Sequence, residues 1–419
     1  MTRESRRVAG EPETGSGNPF FERRVLIWMC VLIAVNQLGF GSVVPTLPLY
    51  AKSFGVSASA IGLAVAVYGL ARFVVAMPTG HLCDRLGRRP TLAIGGVVST
   101  LGNLWCAEAA GFSEFIVARF LAGAGAGLVL TAGQVVLADI TTPARRGRTM
   151  AIYHGVFIFA VGIGPFPGGL LADHLGLAAP FRAYGAVGIL VSILAWFAVG
   201  ETRRLSYPQR GRGWSHGPTL ISQMRMLAAQ IGFVLVCLVG LVNALVRTGG
   251  LFNIIPVLGS VRLGLSVTEI GGGLALGSVI GLAIAYPAGM LVDRFGRKAV
   301  VVPGTMLAGF SLLMFCFAPT YPWFTAACVL WGAAMSVGGS APVAYAADLA
   351  PSGMNATAMS TFRMVSDFGY VIGPIVLGLL VDGYGSITAL VAAAGLTILV
   401  GMAFRAFAPE THRNQDPRR

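Results

Sequence analysis

Long apolar stretches alternate with short polar ones along the chain from residue 25 to residue 408. A helix rises about 1.5 Å per residue, so about 20 mostly apolar residues are needed to cross a bilayer core. By that ruler the pattern predicts helices near 25–50, 58–79, 91–110, 114–138, 149–172 and 180–199. Six more fall near 230–254, 268–288, 299–318, 321–347, 357–381 and 386–408. A stretch rich in Arg, Gly and Ser, 203–229, lies between the two sets. The expected organisation is a disordered tail over 1–24, a six-helix half over 25–202, a linker over 203–229, a second half over 230–408 and a tail over 409–419. The expected fold class is an all-α polytopic membrane protein.

Composition sharpens this. Of the 419 residues 55% are hydrophobic and only 11% charged, against roughly 25% charged in an ordinary soluble domain. So little charge cannot clothe a water-facing surface, which excludes a soluble enzyme, a coiled coil and a disordered chain. The net charge of +13 would suggest nucleic acid in a soluble domain. Here the basic residues cluster in loops, so they read as topology. Twenty-two Lys and Arg fall on the side of the N-terminus, against Lys52, Arg182 and Arg262 on the other. A multi-pass protein of the cell membrane with both termini cytoplasmic is expected. No cleavable signal peptide and no appended soluble domain are expected. Cys30, Cys83, Cys106, Cys237, Cys316 and Cys328 have no CxxC spacing, and the five histidines sit on separate segments. Packing thiols are expected, with no metal, no cofactor and no enzymatic centre.

The chain also repeats itself. Positions 57–90 and 266–299 share 12 of 34 residues at an offset of 209. The same offset links Asp139 to Asp348, Gly164-Pro165 to Gly373-Pro374, Asp173 to Asp382 and Glu201-Thr202 to Glu410-Thr411. One offset across unrelated motifs marks duplication of a six-helix unit, an architecture in which transporters place their site between the repeats near the midplane.

Three motifs carry the mechanism. Gly80-His81-Leu82-Cys83-Asp84-Arg85-Leu86-Gly87-Arg88-Arg89 recurs as Gly289-Met290-Leu291-Val292-Asp293-Arg294-Phe295-Gly296-Arg297-Lys298. Both copies resemble the GxLxDRxGRR loop of the major facilitator superfamily. Arg119 to Ala126 is similar to that family's RxxxGxG element. Gly164, Pro165, Gly168 and Gly169 resemble the GPxxGG element of its drug:proton antiporter branch, with Ala151 and Ala160 where the branch has glycines. The copy keeps Gly373 and Pro374. A bent helix packed closely on its neighbour explains the glycines equally well.

The resemblance implies twelve helices in two pseudo-symmetric halves, with the family's roles for these residues. It implies a charge latch in which Asp84 sits at the start of the eleventh helix and Arg88 pairs with Asp139, with Arg85 beside them. Asp293, Arg294, Arg297 and Asp348 do the same by symmetry. It also places Arg119 in the cavity and ties it to proton coupling. Charges inside the membrane are costly and by default functional: Arg72, Arg119, Arg247, Arg363 and Asp367 are such charges. An Arg72–Asp367 bridge across the halves, breaking in one state, would let Asp367 carry a proton, while Arg363 is its alternative partner four residues away. Asn36, Gln37, Arg119, Asn243 and Arg247 are the expected cavity residues. The expected function is export of a small organic molecule by alternating access, with protons as coupling ion and the protein a monomer. An importer of a sugar or other metabolite is the alternative, and a transporter-like sensor a third.

Overall fold

Ser57 accepts a hydrogen bond from the Ala60 N–H and starts a helix that runs unbroken for 29 residues to Leu86. Gly87, at φ 104°, ends it in a conformation that a side chain resists, and the next helix begins at Arg88. The basic motif predicted as a loop is thus the last turn of one helix, a single glycine and the first turn of the next. Gly296, at φ 94°, makes the same break 209 residues on.

The computed structural model describes residues 19–141, 143–202, 220–339, 341–350 and 355–411. Most of the polar tails, and the linker over 203–219, lie outside the described residues, but Pro19–Arg24 already belongs to the first helix. The first group of helices is α1 (Pro19–Val43), α2 (Leu47–Ser53), α3 (Ala58–Leu86), α4 (Arg88–Glu108), α5 (Phe112–Asp139), α6 (Pro143–Ile163), α7 (Pro165–Leu175) and α8 (Ala179–Phe197). The second begins with the short α9 (Leu220–Ala228), inside the predicted linker, and α10 (Ile231–Leu245). A π-helical stretch, Val246–Ile254, leads into α11 (Ile255–Leu263). Then come α12 (Val267–Phe295), α13 (Lys298–Cys316), α14 (Tyr321–Gly339), α15 (Ala341–Asp348), α16 (Asn355–Tyr384) and α17 (Ser386–Phe407).

No strand occurs among the described residues. Eleven helical stretches among them are long and apolar enough to cross a membrane, and the protein is a multi-pass membrane protein. The expected third span, α4, falls short of that measure because it carries Arg88, Arg89, Asn103 and Glu108. It is nonetheless a helix of 21 residues packed between α5 and α8. Apolar cores form within each group: Met29, Leu32, Leu92 and Val136 in the first, Val236, Val301, Leu312 and Phe404 in the second. We call the two groups the halves. They meet mainly where α3 packs on α16, and α6 and α7 on α12.

Candidate functional site

The halves touch at the end remote from the Arg-rich turns, through contacts related by the 209-residue offset. A Cβ added at Gly62 would strike the Pro374 carbonyl, and one at Gly271 would strike that of Pro165. Gly169 presses on Val267 and Thr268, and Gly378 on Ala58 and Ser59. Two carboxylates complete this seam. Asp173, near the end of α7, accepts the N–H groups of Val267 (3.1 Å) and Thr268 (2.8 Å) at the start of α12. Asp382, near the end of α16, accepts those of Ala58 (2.7 Å) and Ser59 (2.9 Å) at the start of α3. Each meets unpaired first-turn N–H groups and the positive end of a helix.

At the basic end Gly80, Gly155 and Gly289 face open space, and Tyr286 is 77% exposed. The contacts between the halves thus gather at the end remote from the basic turns. Gly164 and Gly168 bring the α6–α7 break against Gly41 and Ser42 of α1, and Gly373 packs on Leu245 and Gly249. These residues are places of close backbone approach.

At the basic end the charge clusters lie within each half. Arg88, whose side chain is 6% exposed, donates to Asp139 at 2.8 Å and to Asp84 at 3.2 Å. Thr202 also donates to Asp139, and Glu201 accepts from the backbone N–H groups of Arg88 and Arg89. Burial works against the Arg88 charge, but Asp139 and Asp84 outweigh it and raise its pKa above the ordinary value. Arg297 pairs with Asp348 at 2.9 Å, and Thr411 donates to Asp348. Arg85 is exposed, and Arg294 stacks near Phe295. The side chain of Asp293 and the start of the eleventh span at 351–354 lie outside the described residues, so the contact expected between Asp84 and that start does too. Arg88→Ala is expected to lower stability by about 3–5 kcal/mol, because it strands a buried carboxylate. Asp84→Asn, at a side chain 76% exposed, should leave the melting temperature within about 2 °C. Thermal unfolding of the two purified variants checks both.

The deeper charges are arranged differently from the expected bridge. In this conformation Arg363 is the ion-pair partner of Asp367, at 3.8 Å with both side chains more than half exposed; among the described residues no ion pair joins Arg72 to Asp367. Arg72 and Asp367 both lie within electrostatic range of Arg247. Asn36 and Gln37 are both buried; the Asn36 amide donates to Gln37 at 2.9 Å, while the Asn36 Oδ1 has no hydrogen-bond partner among the described residues. Asn243, half-buried, stands one turn before Arg247.

A small pocket at the closed end of the cavity is lined by Arg119, Phe40, Val65, Phe252 and Tyr370, among others. Arg119 is 2% exposed, and its guanidinium lies 4.4 Å from the centre of the Tyr68 ring. Tyr68 in turn stacks on Phe40 and shares a hydrogen bond with Tyr184. Arg247 is the second residue of the π-helical stretch, whose wider turn aligns residues five apart. Phe252, five residues on, lies 6.0 Å from its guanidinium. Sequence reasoning missed these aromatics, the π-helical stretch and the two Asp clamps; retention of Asp173 and Asp382 by the duplication was the available signal for the clamps.

Comparison with known proteins agrees with this architecture. The family model described as Major Facilitator Superfamily matches residues 29–286 and 236–419. The multidrug resistance protein MdtL of Klebsiella pneumoniae is 24% identical over 69% of this chain and 72% of its own. The quinolone resistance protein NorA of Staphylococcus aureus is 28% identical over 40% of this chain and 43% of its own. Among solved structures, a bacterial homologue of the human lysosomal transporter Spinster, inward-facing and unoccupied, superimposes with a TM-score of 0.73 at 17% identity. That match covers 93% of this chain and 98% of the other.

Proposed function

The chain belongs to the Major Facilitator Superfamily, and on that footing we propose that it exports a small organic molecule in exchange for protons, by alternating access. The observation that carries this reading is the charged cavity between the halves, open at one end and sealed at the other by pseudo-symmetric contacts. Two conformations of equal construction are what a duplicated chain offers, since contacts of one kind close one end and those of another kind the other. The Lys and Arg count puts the open, basic end and both termini in the cytoplasm. The state described is then inward-open, ready to load from the cytoplasm. MdtL and NorA, by their names resistance proteins, favour export over import.

In the outward-open state the Asp173 and Asp382 clamps release, and the Arg88–Asp139 and Arg297–Asp348 groups brace a closed inner end. Asp367 is the carboxylate that meets the cavity at membrane depth and the group we assign to the proton. Flux in proteoliposomes with an imposed pH gradient tests the whole. Accumulation of a transported dye against its gradient, abolished by a protonophore, is expected. Downhill flux indifferent to the gradient would instead mark a facilitated importer.

A further inference from the structure

We infer that the cavity recognises an organic anion: a planar oxyanion head held by Arg119 and Arg247, and a flat apolar body laid against Phe40, Phe252 and Tyr370. This rests on the transport reading and adds the substrate's class to it.

Arg119 is a charge without a counter-charge among the described residues. Arg119 is almost wholly buried, its Nε reaches only the Ala64 carbonyl at 3.4 Å, and one terminal nitrogen has no hydrogen-bond partner. No carboxylate stands within ion-pair distance of it among the described residues. A guanidinium cannot shed its proton to escape burial. A buried, unpaired cation is expensive in a low-dielectric setting, so the site is completed by something the chain itself does not supply. Arg119 also lines the aromatic pocket. Arg247 stands over Phe252, a wall of that same pocket, and no carboxylate pairs with it among the described residues. Asp367, the acid that reaches this cavity, is already engaged by Arg363. Arg119 lines the pocket of which Phe252 is a wall, and Arg247 stands 6.0 Å from that ring; each guanidinium fork matches a planar carboxylate, which takes paired N–H donors, while aromatic rings take its body. A lipophilic cation would meet Arg72, Arg119 and Arg247, and Asp367 is already paired with Arg363.

The test is direct binding to the purified full-length protein, with three probes alike in shape: 2-naphthoate, 2-naphthamide and 2-naphthyltrimethylammonium. Naphthoate is expected to bind about tenfold or more tightly than either other probe. Arg247→Gln, in the open cavity, should cost naphthoate about tenfold and leave naphthamide within about twofold, and Arg119→Gln should do likewise. Arg119→Lys should recover only part of the loss, because it keeps the charge without the fork. Should Arg119→Gln fail to fold, Arg247→Gln decides. Equal or tighter binding of the cation, or a naphthoate affinity that Arg247→Gln leaves unchanged, overturns the inference. Binding needs no transport: naphthoate preference without any flux would sink the transport reading alone, and flux of the cation without that preference would sink this one alone.

Discussion

Removing both outer clamps, in an Asp173→Ala/Asp382→Ala double variant, is expected to move the protein from the inward-open state towards the outward-open one. Each carboxylate accepts two backbone N–H groups from a helix start in the opposite half. Charge-assisted bonds at an exposed helix N-terminus are worth about 1–2 kcal/mol per clamp. Two clamps then shift the ratio of states by roughly 30- to 1000-fold. The glycine contacts at Gly62 and Gly271 persist in the variant, so the seam is weakened, not erased. A cysteine introduced at Val65, which lines the pocket sealed beneath the seam, reports the shift. It should react with a membrane-impermeant thiol reagent in intact cells about tenfold or more faster in the double variant. Unchanged labelling would mean that the clamps merely decorate a seam held by close packing.

The second large effect is expected at Asp367. Its carboxyl group is more than half exposed to the cavity, beside Arg363 and within range of Arg247. In any carboxylate, desolvation favours the protonated form and a nearby cation the charged form. Any movement of the halves that rearranges Arg72, Arg247 and Arg363 around it alters that balance, and His154 lies within electrostatic range of Arg363 from the facing α6. Asp367→Asn mimics the protonated form permanently. Gradient-driven accumulation should fall to about the level of protein-free vesicles, while substrate exchange at equal pH stays within about threefold of wild type. Survival of gradient-driven accumulation would put the proton on another group.

Much of this architecture could be read from apolar run lengths and from one repeat offset. The offset pairs Arg88 with Arg297 and Asp139 with Asp348, and the structure brings each Arg onto its Asp. It equally pairs Gly62 with Gly271 across from Pro374 and Pro165. What escaped had physical reasons. The clamps of Asp173 and Asp382 close on backbone N–H groups, which every residue but proline presents, so their partners leave no side-chain signature. The π-helical stretch mixes Arg247, Thr248 and Asn253 with glycines and apolar residues over nine positions, too short and mixed a run for a change of period to show. Asn36 and Gln37 share one hydrogen bond, a neighbour contact that their spacing does not announce. The basic motif looked like a loop because Gly and Arg dominate it, yet a single positive-φ glycine suffices to turn the chain. Whether Arg72 meets Asp367 depends on conformation, which residue spacing does not encode.

The account stands on the halves parting at the sealed end as they close at the other. Spin labels on Lys52→Cys in α2 and Val261→Cys in α11, both exposed and near the seam on opposite halves, measure that separation by pulsed electron resonance in lipid. The account predicts two distance populations, the shorter dominant in wild type and the longer one enriched by the clamp double variant and shifted by pH. A single distance, unmoved by clamp removal, by pH and by a transported substrate, would contradict it.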